Sequence, residues 1–109
     1  MDPNWILEQR RLARGAKQAS DAELRHRHLR VTAALCDPTQ ADAVRSQALQ
    51  HIDLWERQQL CHRRYIDGWR HILDLPVRAM CDEILRDDAA GVALRQNSPF
   101  GFLLGREAA

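Results

Sequence analysis

The chain has 109 residues, 45% apolar and 28% charged, with 16 Lys plus Arg against 15 Asp plus Glu. This is the composition of one ordinary folded domain, expected to span residues 1–109, and not of a disordered chain. The near-neutral balance gives no general pull toward nucleic acid or acidic membrane, and no apolar run is long enough to span a bilayer.

Three cysteines, Cys36, Cys61 and Cys81, are an odd number. The Met-Asp-Pro-Asn-Trp start has neither the basic residues nor the apolar stretch of an export signal. Free thiols and a cytoplasmic location are therefore expected. The cations are fifteen Arg and a single Lys, Lys17. With alanine also abundant, this pattern points to GC-rich codons and a bacterial source rather than to phosphate recognition.

Helix-start signals recur along the chain, and no segment alternates like a strand. Asp2 can cap a first helix from about Pro3 to Ala16, with Pro3 suited to the first turn. Trp5, Leu12, Ala16 and Ala19 share one of its faces, and Gly15 is a possible early stop. Ser20 and Glu23 form a capping box that predicts a second helix, reaching about Cys36. Leu24, His28, Val31 and Leu35 make its main stripe. Ala22, Leu29, Ala33 and Cys36 make another, which suggests packing between two neighbours.

Asp37-Pro38-Thr39 stops that helix and starts a third, to about Leu60. Val44, Ala48, Ile52 and Trp55 make its inner face, while Leu49, Leu54 and Leu60 fall off it. A break or bend is expected at Cys61-His62. The next helix, Arg63 to Leu73, is cleanly amphipathic through Tyr65, Ile66, Trp69, Ile72 and Leu73. Gly68 within it costs about 1 kcal/mol relative to Ala, a cost usually tolerated for close packing. Pro76 opens a further helix bearing Val77, Met80, Cys81, Ile84 and Leu85. Asp87-Asp88 marks a joint, Ala89–Gln96 fits a short helix, and Ser98-Pro99 leads to a final turn with Phe100, Leu103 and Leu104, ended by Gly105. The expected fold is all-α: a compact bundle of about five helices plus a short C-terminal helical turn. Its core should include Trp5, Leu24, Val31, Leu35, Val44, Ile52, Trp55, Ile66, Trp69, Ile84 and Leu85.

Chemistry-bearing motifs are scarce. His26 and His28 are two apart and diverge around a helix, and adjacent Cys61-His62 is poor for joint ligation. No metal, cofactor or catalytic set is therefore expected. Asp67, His71 and Asp74 form one polar stripe, best read as a solvated ladder. Cys61, beside His62, Arg63 and Arg64 near a helix start, has a setting that lowers a thiol pKa, but a structural free cysteine is the preferred reading. Arg10, Arg11, Arg14 and Lys17 make a basic face, joined by Arg25, Arg27 and Arg30. Leu49, Leu54, Phe100 and Phe102 are apolar positions in excess of one small core, because Phe100 and Phe102 diverge by about 200° on a helix. They are the candidate contacts of a homodimer. The expected function is a non-enzymatic interaction or regulatory module that self-associates and that also has scope for a protein partner. The alternative is a nucleic-acid-binding regulator using the basic face.

Overall fold

Between Pro3 and Cys36 nothing forces a helix to stop, and the computed structural model, which describes residues 3–105, contains a single helix there, α1 (Pro3–Cys36). The sequence expectation of two helices is corrected at Ser20. A capping box needs a chain that leaves the helix before it, and Ala16, Lys17, Gln18 and Ala19 are good helix formers. The backbone ladder therefore runs through, and Glu23 pairs with Arg27 at 2.8 Å, one turn on. Gly15 is also passed without a break; it lies in open space. The Asp2 cap falls outside the described residues.

Asp37 makes the reversal after α1. Its carboxylate accepts from the Thr39 backbone N–H at 2.9 Å, the Thr39 hydroxyl at 2.7 Å and the Gln40 amide at 2.6 Å. Helix α2 (Ala41–Gln58) follows and ends where Gln59 turns left-handed, with φ 54°. The Leu60 N–H then reaches back to the Trp55 carbonyl, so the helix end is satisfied. His62 caps α3 (Arg63–Leu73) by accepting from the Arg64 N–H, which makes the expected joint a true break. Helices α4 (Val77–Ile84), α5 (Ala89–Gln96) and α6 (Gly101–Leu104) complete the fold. Among the described residues there is no strand, and no helix is long and apolar enough to cross a membrane.

Two glycines allow helices to approach closely. A Cβ on Gly68 would sit 3.0 Å from Leu94 of α5, which is the close packing its sequence position suggested. A Cβ on Gly91 would lie 2.1 Å from the Arg86 carbonyl, so the start of α5 tolerates no side chain there. The end of α4 is held by two arginines. Arg95 donates to the Ile84 and Arg86 carbonyls at 3.0 and 2.7 Å, and Arg25 donates to the Leu85 carbonyl at 2.9 Å. Three consecutive carbonyls at a helix C-terminus thus receive cationic donors, as their orphaned acceptors and the helix dipole favour.

The core lies where α1 packs on α2, α4, α5 and α6. It contains Val31, Leu35, Val44, Ile52, Ile66, Trp69, Leu73, Met80, Ile84 and Phe100. Leu24, Trp55 and Leu85 are half-buried at its margin. Trp69 is fully enclosed, and its indole N–H donates to the Asn97 carbonyl at 2.7 Å. Phe100 meets it edge-on at 5.6 Å.

Two further expectations are corrected. Trp5 is 56% exposed rather than in the core. Phe100 is completely buried rather than available to a second chain. It caps α6 from outside the helix, so the 200° divergence from Phe102 does not apply. The second stripe of α1 is not sandwiched between two neighbours: Ala22, Leu29, Ala33 and Cys36 are all exposed, although Cys36 at its end lies near Cys81 of α4.

Candidate interaction surface

Every described residue from Pro3 to Ser20 is exposed. The molecule measures 56 × 29 × 29 Å. About eighteen helical residues at 1.5 Å each span roughly 27 Å, which accounts for the excess length of one axis. The first half of α1 is therefore an arm standing off the bundle.

The arm is amphipathic in its own right. At 100° per residue, Trp5, Leu12, Ala16 and Ala19 fall within about 60° of one another, and Ile6 and Ala13 widen the stripe on one side. Trp5, Ile6, Leu7 and Leu12 are the large apolar side chains left in solvent. Arg10, Arg11, Arg14 and Lys17 lie about 110–170° around the helix from the Trp5–Leu12 stripe, with Leu7 among them and Lys17 next to Ile6. The bundle-facing stripe farther along α1, Leu24, Val31 and Leu35, is rotated by about 110° from the Trp5–Leu12–Ala16–Ala19 stripe and is in phase with Ile6 and Ala13. One straight helix cannot point both stripes at the same core.

Polar contacts fix the root of the arm. Asp21 accepts from the Gln96 amide at 2.9 Å, and Arg25 reaches the end of α4. His28, fully buried, sits between the Leu24 carbonyl at 2.8 Å and the Ser98 hydroxyl at 2.9 Å. The Leu24 carbonyl makes Nδ1–H the donor; in the neutral ring that burial favours, Nε2 accepts from the Ser98 hydroxyl, whose oxygen accepts from the Phe100 N–H. Burial pulls the His28 pKa below its usual 6.5, against the Leu24 hydrogen bond and with help from the Arg95 charge.

The other sequence candidates lie elsewhere. Leu49 and Phe102 are half-buried against the core, and Phe102 stacks on His51 at 5.7 Å. Leu54 is half-buried beside an open groove of about 480 Å³ with Ser46, Gln50 and His51. Asp67 pairs with Arg63 at 3.3 Å, while His71 and Asp74 are exposed, so the stripe is a solvated face. The strongest ion pairing is one the sequence reading missed, because it links two helices. Glu56 of α2 binds Arg70 at 2.8 Å and also Arg63, and Arg70 reaches Asp53 at 2.9 Å. Hydrogen bonds from these two arginines hold the Glu56 carboxyl at about 2.

The pKa lowering expected from the Cys61 setting is reversed. Partial burial pushes its thiol up, outweighing a hydrogen bond from the His62 backbone. Cys36 and Cys81 are instead the cysteines brought together, with sulfurs 3.9 Å apart. Among the described residues, no group of three or more His, Cys, Asp or Glu is placed to hold a metal ion. Comparison with models of known families, with curated proteins and with solved structures finds no match to this chain.

Proposed function

We propose that the protein is a non-enzymatic interaction module that pairs with a second copy of itself through the arm of α1. One observation carries this reading: an exposed helical arm with Trp5, Ile6 and Leu12 on its apolar side. An isolated helix of about this length is marginal in water, and burial against a partner is the usual source of its stability.

A second copy suits the seam. In an antiparallel pair with its two-fold axis at Leu12, Leu12 meets its own counterpart, and Trp5 lies across from Ala19 of the other chain. Large side chains then face small ones, which is how tightly packed interfaces interdigitate. The cations point away from the seam.

The exposed basic face favours a second reading, nucleic-acid binding. It is the weaker one, because several of these cations already have partners. Arg11 pairs with Glu8, Arg27 with Glu23, and Arg25 is committed to Leu85.

Sedimentation at micromolar concentration tests the proposal. The full chain should run as a dimer, and the Trp5→Glu, Leu12→Glu double variant as a folded monomer. A wild-type chain that remains monomeric overturns it.

A further inference from the structure

Cys36 is the last residue of α1, and Cys81 lies in the middle of α4. Their sulfurs are 3.9 Å apart, although 45 positions separate them in sequence. Cys36 is exposed and Cys81 half-buried. The Cys81 sulfur also lies 3.9 Å from the Thr32 carbonyl. An exposed thiol beside a sheltered one is the arrangement in which one sulfur meets an oxidant and the other resolves the product.

We propose that Cys36 and Cys81 are a modification site: a dithiol that hydrogen peroxide converts to an internal disulfide. The Cys36 thiolate attacks one peroxide oxygen. A sulfur–oxygen bond forms, the oxygen–oxygen bond breaks, and the leaving hydroxide takes a proton to become water. Cys36 is then a sulfenic acid. Cys81 gives up its proton, and its sulfur attacks the Cys36 sulfur. The sulfur–sulfur bond forms, the sulfur–oxygen bond breaks, and a second water leaves. With hydrogen peroxide, two thiols lose two electrons and two protons to one peroxide, which becomes two waters.

The sulfurs must close from 3.9 Å to about 2.05 Å, a distance that side-chain rotation supplies when the two Cα atoms are suitably placed. Burial, and then the neighbouring Cys36 sulfur, push the Cys81 thiol well above its ordinary range. Cys81 therefore stays protonated until an activated Cys36 is beside it, which assigns the first step to the exposed cysteine. The bond would tie the end of α1 to α4 across α2 and α3. It would hold covalently what packing alone holds in the dithiol. This site is independent of the arm, and neither proposal needs the other.

The test uses the full chain carrying Cys61→Ser, treated with stoichiometric hydrogen peroxide. The expected product has no free thiol, a mass lower by about 2 Da, a Cys36–Cys81 cross-linked peptide, and a higher melting temperature that a dithiol reductant reverses. Adding Cys36→Ser or Cys81→Ser should abolish the cross-link. Three outcomes would overturn the proposal: both thiols survive, Cys36 is over-oxidised with a gain of about 32 Da while Cys81 stays free, or the cross-link joins Cys36 of two different chains.

Discussion

Trp69 ties α3 to the segment that follows α5. Its ring is fully buried, it meets Phe100 edge-on, and its N–H is bound to the carbonyl of Asn97 beyond the end of α5. Trp69→Ala should cost about 3–5 kcal/mol in urea unfolding, the range for large aromatic truncations. A loss below about 1 kcal/mol would contradict this packing. His28 gives a pH dependence instead. The folded chain keeps the ring neutral, with a pKa below the usual 6.5. As pH falls past 6.5, the unfolded chain takes up a proton that the folded chain refuses. Stability is therefore full above that value and declines below it, toward the lowered folded pKa. Glu56 acts in a separate, more acidic window, since its contribution is lost only from its ordinary 4.5 down toward about 2. Urea midpoints at about pH 7.5 and about pH 5.5 should fall in the wild type and stay level in His28→Gln, measured relative to that variant's own starting stability. The stripe Leu24–His28–Val31–Leu35 placed His28 inward from sequence alone. Its hydroxyl partner, Ser98, lies 70 residues away and could not be read from spacing.

At the scale of elements, the helix start at Ala89 and the helix end at Cys36 were legible because Asp88 marks the one and Pro38 the other, whereas at Arg63 the sequence offered only a break or bend and the His62 cap was not read. The two helices read before Cys36 are one, because a capping box is a local signal and the helix already running through it removes the need for a cap. That misreading also hid the arm. Trp5, Leu12, Ala16 and Ala19 pass for a core stripe when their helix can turn freely against its neighbour. Once joined to the Leu24–Val31–Leu35 stripe in one helix, they are out of phase by about 110°, and only one stripe can face the bundle. Of the positions read as surplus, Phe100 folded into the core, Leu49, Leu54 and Phe102 are half-buried and Leu60 is exposed, while Trp5 and Leu12, read as facing the core, stand in solvent on α1. The continuity of α1 can be tested at Gly15, which touches nothing outside its own helix. Gly15→Pro should remove part of the far-ultraviolet helical signal and abolish dimer formation. The bundle should still melt near the wild-type temperature. A proline costs about 3 kcal/mol in a helix interior, but this one breaks α1 within the arm, ahead of the residues that α1 gives to the core. Cooperative unfolding of the whole chain by this substitution would mean that the arm is packed on the bundle.

For the whole molecule, the near-neutral net charge conceals an uneven distribution. The arm carries Arg10, Arg11, Arg14 and Lys17 against the single acid Glu8. Two readings of that arm respond oppositely to salt. In a paired arm, two cationic helices lie side by side with their charges outward and separated by solvent. Salt shortens the Debye length from about 10 Å at 0.1 M to about 3 Å at 1 M and screens their repulsion. Apolar burial at the seam is not weakened by the same change. Dimerisation should therefore strengthen modestly as sodium chloride rises from about 0.05 to about 0.5 M. A complex with nucleic acid should weaken steeply over the same range, because each phosphate contact releases counterions. Reversing Arg10, Arg11 and Arg14 to Glu sharpens the contrast. It leaves the apolar stripe intact, so the dimer should persist, now with a net acidic arm. Wild type and variant should both fail to retain duplex DNA or RNA at about 0.15 M salt in a gel shift. Tight retention by the wild type that salt dissolves and the triple reversal removes would reassign the arm to nucleic acid. A dimer that salt weakens would mean that ion pairs, and not the Trp5–Leu12 seam, hold the two chains together.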